Sequence, residues 1–151
     1  MSVEIQPLHD LDSIRQLIRI HDAAWKGSTG ILDLLRNSTT CLLARGPRGR
    51  IVAYLFLEED RSRGFFEIQD VVVHRRHRRK GYGRLIVEAA MARCCALKLL
   101  ASANKPGLLH FYSGLGFEVE HRIENYYDVG DDAVRMSWRG ASPSGGGAAN
   151  Q

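Results

Sequence analysis

Cysteine is nearly missing from this chain: Cys41, Cys94 and Cys95 are the only three in 151 residues, and two of them are adjacent. Thiols at those spacings make neither a disulfide framework nor a metal-ligand cluster, so reduced buried thiols, no metal and a cytoplasmic setting are expected. Long apolar runs are missing as well. No window approaches the ~18 apolar residues of a membrane span, and the N-terminus has no secretory apolar core, so no membrane partner is expected. Aromatic residues amount to 8%, and the basic run between Arg75 and Arg84 lacks the aromatic interleaving of a base-stacking surface, which makes nucleic acid an unlikely partner despite a net charge of +4. From Gly140 onward nothing can be buried. Residues 140–151 are therefore expected to be a disordered tail, and residues 1–139 one domain, a length that buries roughly 70% of its unfolded surface.

What is present reads as alternating elements. Val3, Ile5 and Pro7 alternate with Glu4, Gln6 and Leu8 as a first strand. Asp10 or Asp12 caps a helix carrying Leu11, Ile14, Leu17, Ile18 and His21 on one face, with His21 a packing residue in preference to a base. Gly27 and Gly30 punctuate the next segment, and Ile31, Leu32, Leu34 and Leu35 predict a short helix ending near Asn37. Residues 40–45 and 51–58 are strand-like and joined by the turn Gly46-Pro47-Arg48-Gly49. After a charged turn, Phe65 to Val73 becomes the third strand of an antiparallel meander, with Val71-Val72-Val73 apolar on both faces. Lys98 to Ala103 reads as a parallel strand, and Pro106 opens a helix that Gly114 or Gly116 ends. Residues 117–123 and 133–138 close the fold around a loop over 128–132.

The most informative stretch runs from Glu67 to Ala92. The hydrophobic period changes from two to 3.6 across His74-Arg75-Arg76-His77-Arg78-Arg79-Lys80-Gly81-Tyr82-Gly83-Arg84, so a basic glycine loop sits between a strand and a helix N-terminus. There the first backbone N–H groups have no intrahelical partner and the dipole favours an anion, which Gly81 and Gly83 let approach. A Walker loop needs its lysine after the second glycine, and a dinucleotide fingerprint needs a third glycine where Leu85 and Ile86 stand. Arg78-x-x-Gly81-x-Gly83 is left, with an ordinary strand-to-helix turn as the plain alternative.

This arrangement resembles the GNAT superfamily of acetyl-CoA-dependent N-acetyltransferases, whose signature is Arg/Gln-x-x-Gly-x-Gly/Ala directly after a strand and opening a helix. Asn104 and then His110-Phe111-Tyr112-Ser113-Gly114-Leu115-Gly116-Phe117 resemble its second element, a helix ending in Tyr-x-x-x-Gly-Phe. The resemblance runs from about Val3 to Trp138. It implies the α/β GNAT fold: a mixed, mostly antiparallel sheet flanked by helices, with a splayed parallel strand pair. It also implies that acetyl-CoA is bound, its pyrophosphate on the loop amides. Arg78, Arg79, Lys80, Gly81, Tyr82, Gly83 and Arg84 are then assigned to the coenzyme, while Arg75 and Arg76 are merely solvated. Val71, Val72 and Val73 meet the pantetheine arm, with Val71 and Val73 supplying backbone bonds.

Acetyl transfer to an amine needs a neutral amine and a proton for the departing thiolate. Glu67, on the strand feeding the loop, is the candidate general base, since the family's histone acetyltransferases carry a glutamate at a similar spacing; a solvated outward strand position is the alternative. Asp70 has the opposite strand parity and looks to the other face. Tyr112 is the candidate acid, a phenol of pKa about 10 facing a thiolate of about 8.5, or else an aromatic core residue. Asn104 and Phe111 are expected at the pantetheine or adenine end, with a helix cap and a core position as alternatives. In the resemblance Trp25, Ile31 and Leu35 are candidate walls of the acceptor cleft.

Residues 124–136, Glu-Asn-Tyr-Tyr-Asp-Val-Gly-Asp-Asp-Ala-Val-Arg-Met, resemble the ending of RimI-type (ribosomal-protein alanine) protein N-terminal acetyltransferases, which implies that Tyr126 and Tyr127 hold a peptide N-terminus. That family has a glutamate on the strand before its Asn, where this chain has Lys98, Leu99, Leu100 and Ala101. The expected activity is direct transfer in a ternary complex to a protein or peptide N-terminal amine. A small-molecule or lysine amine, or a non-catalytic acyl-CoA-binding module, are the alternatives. A homodimer is compatible with the sequence, which does not specify oligomeric state.

Overall fold

The computed structural model describes residues 2–5, 11–24, 33–34, 36 and 40–140. Strands β1 (Ser2–Ile5), β2 (Thr40–Arg45), β3 (Ile51–Asp60), β4 (Phe65–Val73), β5 (Ala96–Ser102), β6 (Glu118–Asp128) and β7 (Asp131–Arg139) hydrogen-bond in the order β1-β2-β3-β4-β5-β7-β6. Helices α1 (Leu11–Ala24), α2 (Tyr82–Arg93) and α3 (Pro106–Gly114) accompany them. Neighbours are antiparallel except β4 and β5, which run parallel; β3 and β4 are antiparallel because only the four residues 61–64 join them. This is the expected α/β class with a mixed, mostly antiparallel sheet. The chain divides into two compact units, residues 1–59 with 68–90, and residues 60–67 with 91–151.

In the first unit, α1 packs on the sheet. Leu17 and Ile20 meet Cys41, Leu43, Ile51, Tyr54, Phe56 and Val72, with Ile18, Ala24 and Leu34 at the margin. Each fully buried Leu, Ile or Phe among them contributes about 1.5–3 kcal/mol of transfer free energy. The buried stripe of α1 is Ser13, Leu17, Ile20 and His21, not the face begun at Leu11, which is 69% exposed. Six residues from Leu17 at 3.6 per turn put Leu11 about 120° around the helix. His21 is buried beside Asp22, Nδ1 to Oδ1 3.3 Å, in the packing role expected. The opposite face of β2 and β3, with Leu42, Ala44, Ala53, Leu55 and Leu57, is buried too.

At the turn between β2 and β3, a Cβ on Gly46 would stand 2.8 Å from the Tyr82 hydroxyl and 2.9 Å from Val52 Cγ1. Glycine there admits the Tyr82 ring. The first residue of α2 is thereby anchored to the hairpin.

In the second unit β5 is flanked by β7 over seven residue pairs, Ala96↔Arg139 to Ser102↔Ala133, and by β4 at only two, Phe66↔Leu97 and Glu67↔Lys98. The β6–β7 connection is tighter than the expected loop over 128–132: Asp128 pairs with Asp131, and Val129-Gly130 turn with Gly130 at φ +79°. The helix over 106–114 begins and ends where Pro106 and Gly114 predict. Gly140 still donates its N–H to Cys95 O at 2.8 Å; the rest of the expected tail lies outside the described residues.

Candidate active site

The basic glycine loop lies wholly within the first unit. His74 N–H continues the sheet by donating to Val52 O at 2.7 Å, and residues 75–77 make one 3-10 turn. His74 Nδ1 accepts from Arg76 N–H at 3.2 Å, which requires the neutral imidazole. Burial holds this histidine below its usual range, and the neighbouring His77, Arg76, Arg75 and Arg78 push the same way. Arg78 Nε then donates to Val73 O at 3.1 Å, tying the loop back to the strand end. Arg79 and Gly81 take left-handed backbone at φ +61° and +87°. Such a reversal turns successive N–H groups to one side as an anion nest.

Leu85 N–H reaches Gly81 O at 3.0 Å, so the amides of Tyr82, Gly83 and Arg84 precede the first intrahelical donor. Nothing lies within 4 Å of a Cβ built on Gly81. Arg75, Arg76, Arg79 and Lys80 are exposed beside it. Open amides, a helix dipole and uncommitted cations are the requirements of a pyrophosphate, and these residues fit the coenzyme.

Several side chains differ in detail from the sequence expectation. Tyr82 is buried, its ring edge-on to His77 at 6.1 Å, so its ring is packed away from solvent. Val72 belongs to the α1 core, while Val71 and Val73, of opposite parity, are half-buried. Val73 O already accepts from Arg78. Arg84 Nε lies 3.4 Å from Glu88 Oε2 one turn on.

The second unit holds the expected chemical groups. Glu67 is half-buried, and its Oε2 lies 3.4 Å from Arg135 Nη1; that nitrogen is buried and makes no hydrogen bond. Arg135 had no local signal, because β7 meets Glu67 only through the sheet register. Asp70, of the opposite strand parity, belongs to the first unit, where it accepts from the buried Tyr54 hydroxyl at 2.7 Å. Tyr112 is buried, its ring edge-on to Phe111 at 5.1 Å and Phe117 at 5.3 Å. Its core alternative therefore describes the ring, and the chemistry expected of this residue falls to its hydroxyl.

Asn104 is not a helix cap, the α3 N-cap being Lys105. Its Nδ2 donates to Gly130 O at 3.1 Å and approaches Asp131 Oδ1 at 3.3 Å, while Asp131 also accepts from the buried Ser102 hydroxyl. The asparagine side chain thus pins the β6–β7 turn, where the sequence suggested the coenzyme. Tyr126 and Tyr127 are 52% and 47% exposed with rings 4.9 Å apart. Burial, then Tyr126 and Asp131, raise the Tyr127 phenol above its usual range. Trp25, Ile31 and Leu35 lie outside the described residues. Among the described residues no group of His, Cys, Asp and Glu is placed to hold a metal, and no helix is long and apolar enough to cross a membrane.

Residues 36–119, more than half of the chain, match the family model of the acetyltransferase (GNAT) domain. The chain belongs to the GNAT acetyltransferase family. It is an acetyl-CoA-dependent N-acetyltransferase, with the glycine loop and α2 inside the matched segment. No curated protein matches the sequence significantly. Among solved structures the GNAT fold recurs in the ribosomal-protein-S18-alanine N-acetyltransferase from Escherichia coli, 18% identical over 91% of this chain and 94% of that one, with a TM-score of 0.77. An aminoglycoside 6′-N-acetyltransferase complexed with coenzyme A is 13% identical over 95% and 100%, TM-score 0.79. Chaetomium thermophilum Naa20, in complex with a bisubstrate analogue, is 19% identical over 92% and 86%, TM-score 0.70. At these identities the likeness is one of fold.

Proposed function

We propose that this GNAT domain, residues 1–139, acetylates a protein or peptide N-terminal amine by direct attack in a ternary complex. When bound, acetyl-CoA supplies an activated acetyl thioester; the chain supplies position and proton transfer. The amides of Tyr82, Gly83 and Arg84, with Arg79 and Lys80, hold the pyrophosphate. Val71 and the N–H side of Val73 offer backbone to the pantetheine arm. Glu67 takes a proton from the acceptor ammonium, directly or through water, and the Tyr112 hydroxyl gives one to the thiolate. An α-amine of pKa about 7.7–8.0 demands far less of that base than a lysine near 10.4. A cytoplasmic setting, with Cys41, Cys94 and Cys95 reduced, belongs to the same reading.

The observation that carries the acceptor reading is the tyrosine pair. Adjacent residues of a regular strand point to opposite faces. Here the β6–β7 register breaks between Ile123 and Asp128, Asn125 takes φ +52°, and the two rings meet edge-on at the surface. Two phenols on one side form a clamp for a short extended peptide and a π-face for its ammonium. A second reading rests on the exposed acids Glu118, Glu124 and Asp128 of the same strand, which suit a polyamine, a lysine or another small cationic amine.

Thiol release from acetyl-CoA tests both, using peptides with open N-termini, the same peptides N-terminally blocked but carrying lysine, and small polyamines. Turnover confined to open N-termini is expected. Turnover confined to lysine or polyamine would replace the acceptor, and coenzyme binding without turnover on any amine would favour the non-catalytic module. Glu67→Gln should lower kcat/KM by about 10²- to 10⁴-fold and remove the rising limb of its pH profile; an unchanged profile excludes this base.

A further inference from the structure

The first unit contains a pocket that the coenzyme loop does not use. It is about 260 Å³ in volume and opens between α1, the β2–β3 turn and the turn at His74–His77. Ile20, Ile51 and Val52 form its apolar floor and Pro47 its rim. Arg19, Arg50, His74 and His77 join them in its lining, the two arginines exposed. Among the described residues no Asp or Glu lines it. The remaining polar wall, Gln16, is already committed: Oε1 accepts from Ile51 N–H at 2.9 Å and Nε2 donates to Asp12 Oδ2 at 2.8 Å. Among the described residues neither Arg19 nor Arg50 has a side-chain partner in a hydrogen bond or ion pair. His74 uses Nδ1 to accept from Arg76 N–H, which leaves Nε2 protonated as a donor.

We propose that this pocket is a second anion site, built to hold one phosphate group behind the coenzyme loop. Two arginines and two histidines from three separate elements place positive charge and N–H donors around one cavity, which an anion can use together. A tetrahedral phosphate offers three strongly accepting oxygens to donors converging from different directions, where a planar carboxylate offers two. The volume lies below the roughly 300 Å³ at which drug-sized ligand sites begin, so the occupant is a phosphate group and not a whole nucleotide. None of residues 78–84 lines the pocket, which separates it from the pyrophosphate amides. The two are still coupled, since His77 stacks edge-on against Tyr82 at the start of α2. The phosphate comes either from the coenzyme's own ribose phosphate or from a free phosphate compound.

Inorganic phosphate titrated into the full chain, followed by NMR of the imidazole rings, tests the site. Saturable shifts at His74 and His77 are expected, weakened about tenfold or more in the double variant Arg19→Gln/Arg50→Gln, which removes both charges and keeps side-chain bulk. Shifts confined to the amides of residues 79–84, or ring shifts unchanged in the double variant, overturn the proposal. Coenzyme A and its dephospho form then name the source. If the double variant loses affinity for coenzyme A but not for the dephospho form, the ribose phosphate is the occupant. Equal affinities, with the phosphate titration still weakened, assign the pocket to a free phosphate compound. Neither phosphate arm depends on any acceptor amine, so failure here and failure of the proposed acetylation are read separately.

Discussion

Replacing Gly81 by alanine separates the two roles of one residue. At φ +87° an L side chain costs roughly 1–2 kcal/mol of backbone strain. Its Cβ would meet nothing within 4 Å, so no clash adds to that. For a chain of this length each kcal/mol lowers Tm by about 2–4 °C, and Gly81→Ala should fold and melt about 2–8 °C lower. Gly64 is a matched control: φ +76°, equally open space, and a place in the turn where its N–H donates to Asp60 O at 2.9 Å. Gly64→Ala should show the same loss of Tm.

The variants part company in calorimetric titration with coenzyme A. On the proposed binding mode, a Cβ at Gly81 enters the open space beside the amides that the phosphates would use, and valine fills it further. Losing two charge-assisted N–H···O bonds at about 1.5 kcal/mol each or more weakens binding about 10²-fold or beyond. Gly64→Ala should leave Kd unchanged. A wild-type Kd for Gly81→Val, in a protein that has lost the expected Tm, would refute the cradle.

Asp132 accepts from Asn125 N–H and pairs with Arg122 Nε at 2.7 Å, and these hold its carboxyl below the usual range. Its stabilisation is present above the unfolded aspartate value and is lost as pH falls through the lower folded one; Asp132→Asn should therefore flatten the acid loss of amide protection in the β6–β7 hairpin, measured by hydrogen exchange. Burial pushes the Cys41 thiol up to about 12, whereas Cys95 is exposed, so a thiol reagent near pH 8 should label Cys95 quickly and leave Cys41 intact until unfolding. Tyr54→Phe removes the donor to Asp70 and should cost about 1–3 kcal/mol in urea denaturation, with the m-value unchanged.

Local chemistry made the fold legible. The change of hydrophobic period at the basic loop, Pro106, and the turn residues of 46–49 each act over a few neighbours, and the corresponding elements stand where those residues put them. Sites assembled across strands left weaker traces. Arg135 reaches Glu67 only because β7 pairs with β5 and β5 with the start of β4, which no spacing along the chain encodes. Asn104 was legible as a special residue but not as a hairpin clasp, because its partners Gly130 and Asp131 come from a turn 26 and 27 residues on. The Leu11 face was misplaced since a single apolar residue at a helix start fits several stripes, and packing against β2 and β3 chose among them. The pocket above Ile51 had no motif at all: Arg19, Arg50, His74 and His77 are gathered by folding.

On the proposed reading the coenzyme's phosphates sit on the amides that open α2. Titrating coenzyme A into the 15N-labelled chain and following backbone amide resonances tests it directly. Saturable shifts concentrated at Gly81, Tyr82, Gly83 and Arg84 are expected, with Gly64 unmoved. Saturable binding that leaves those four amides in place would contradict it.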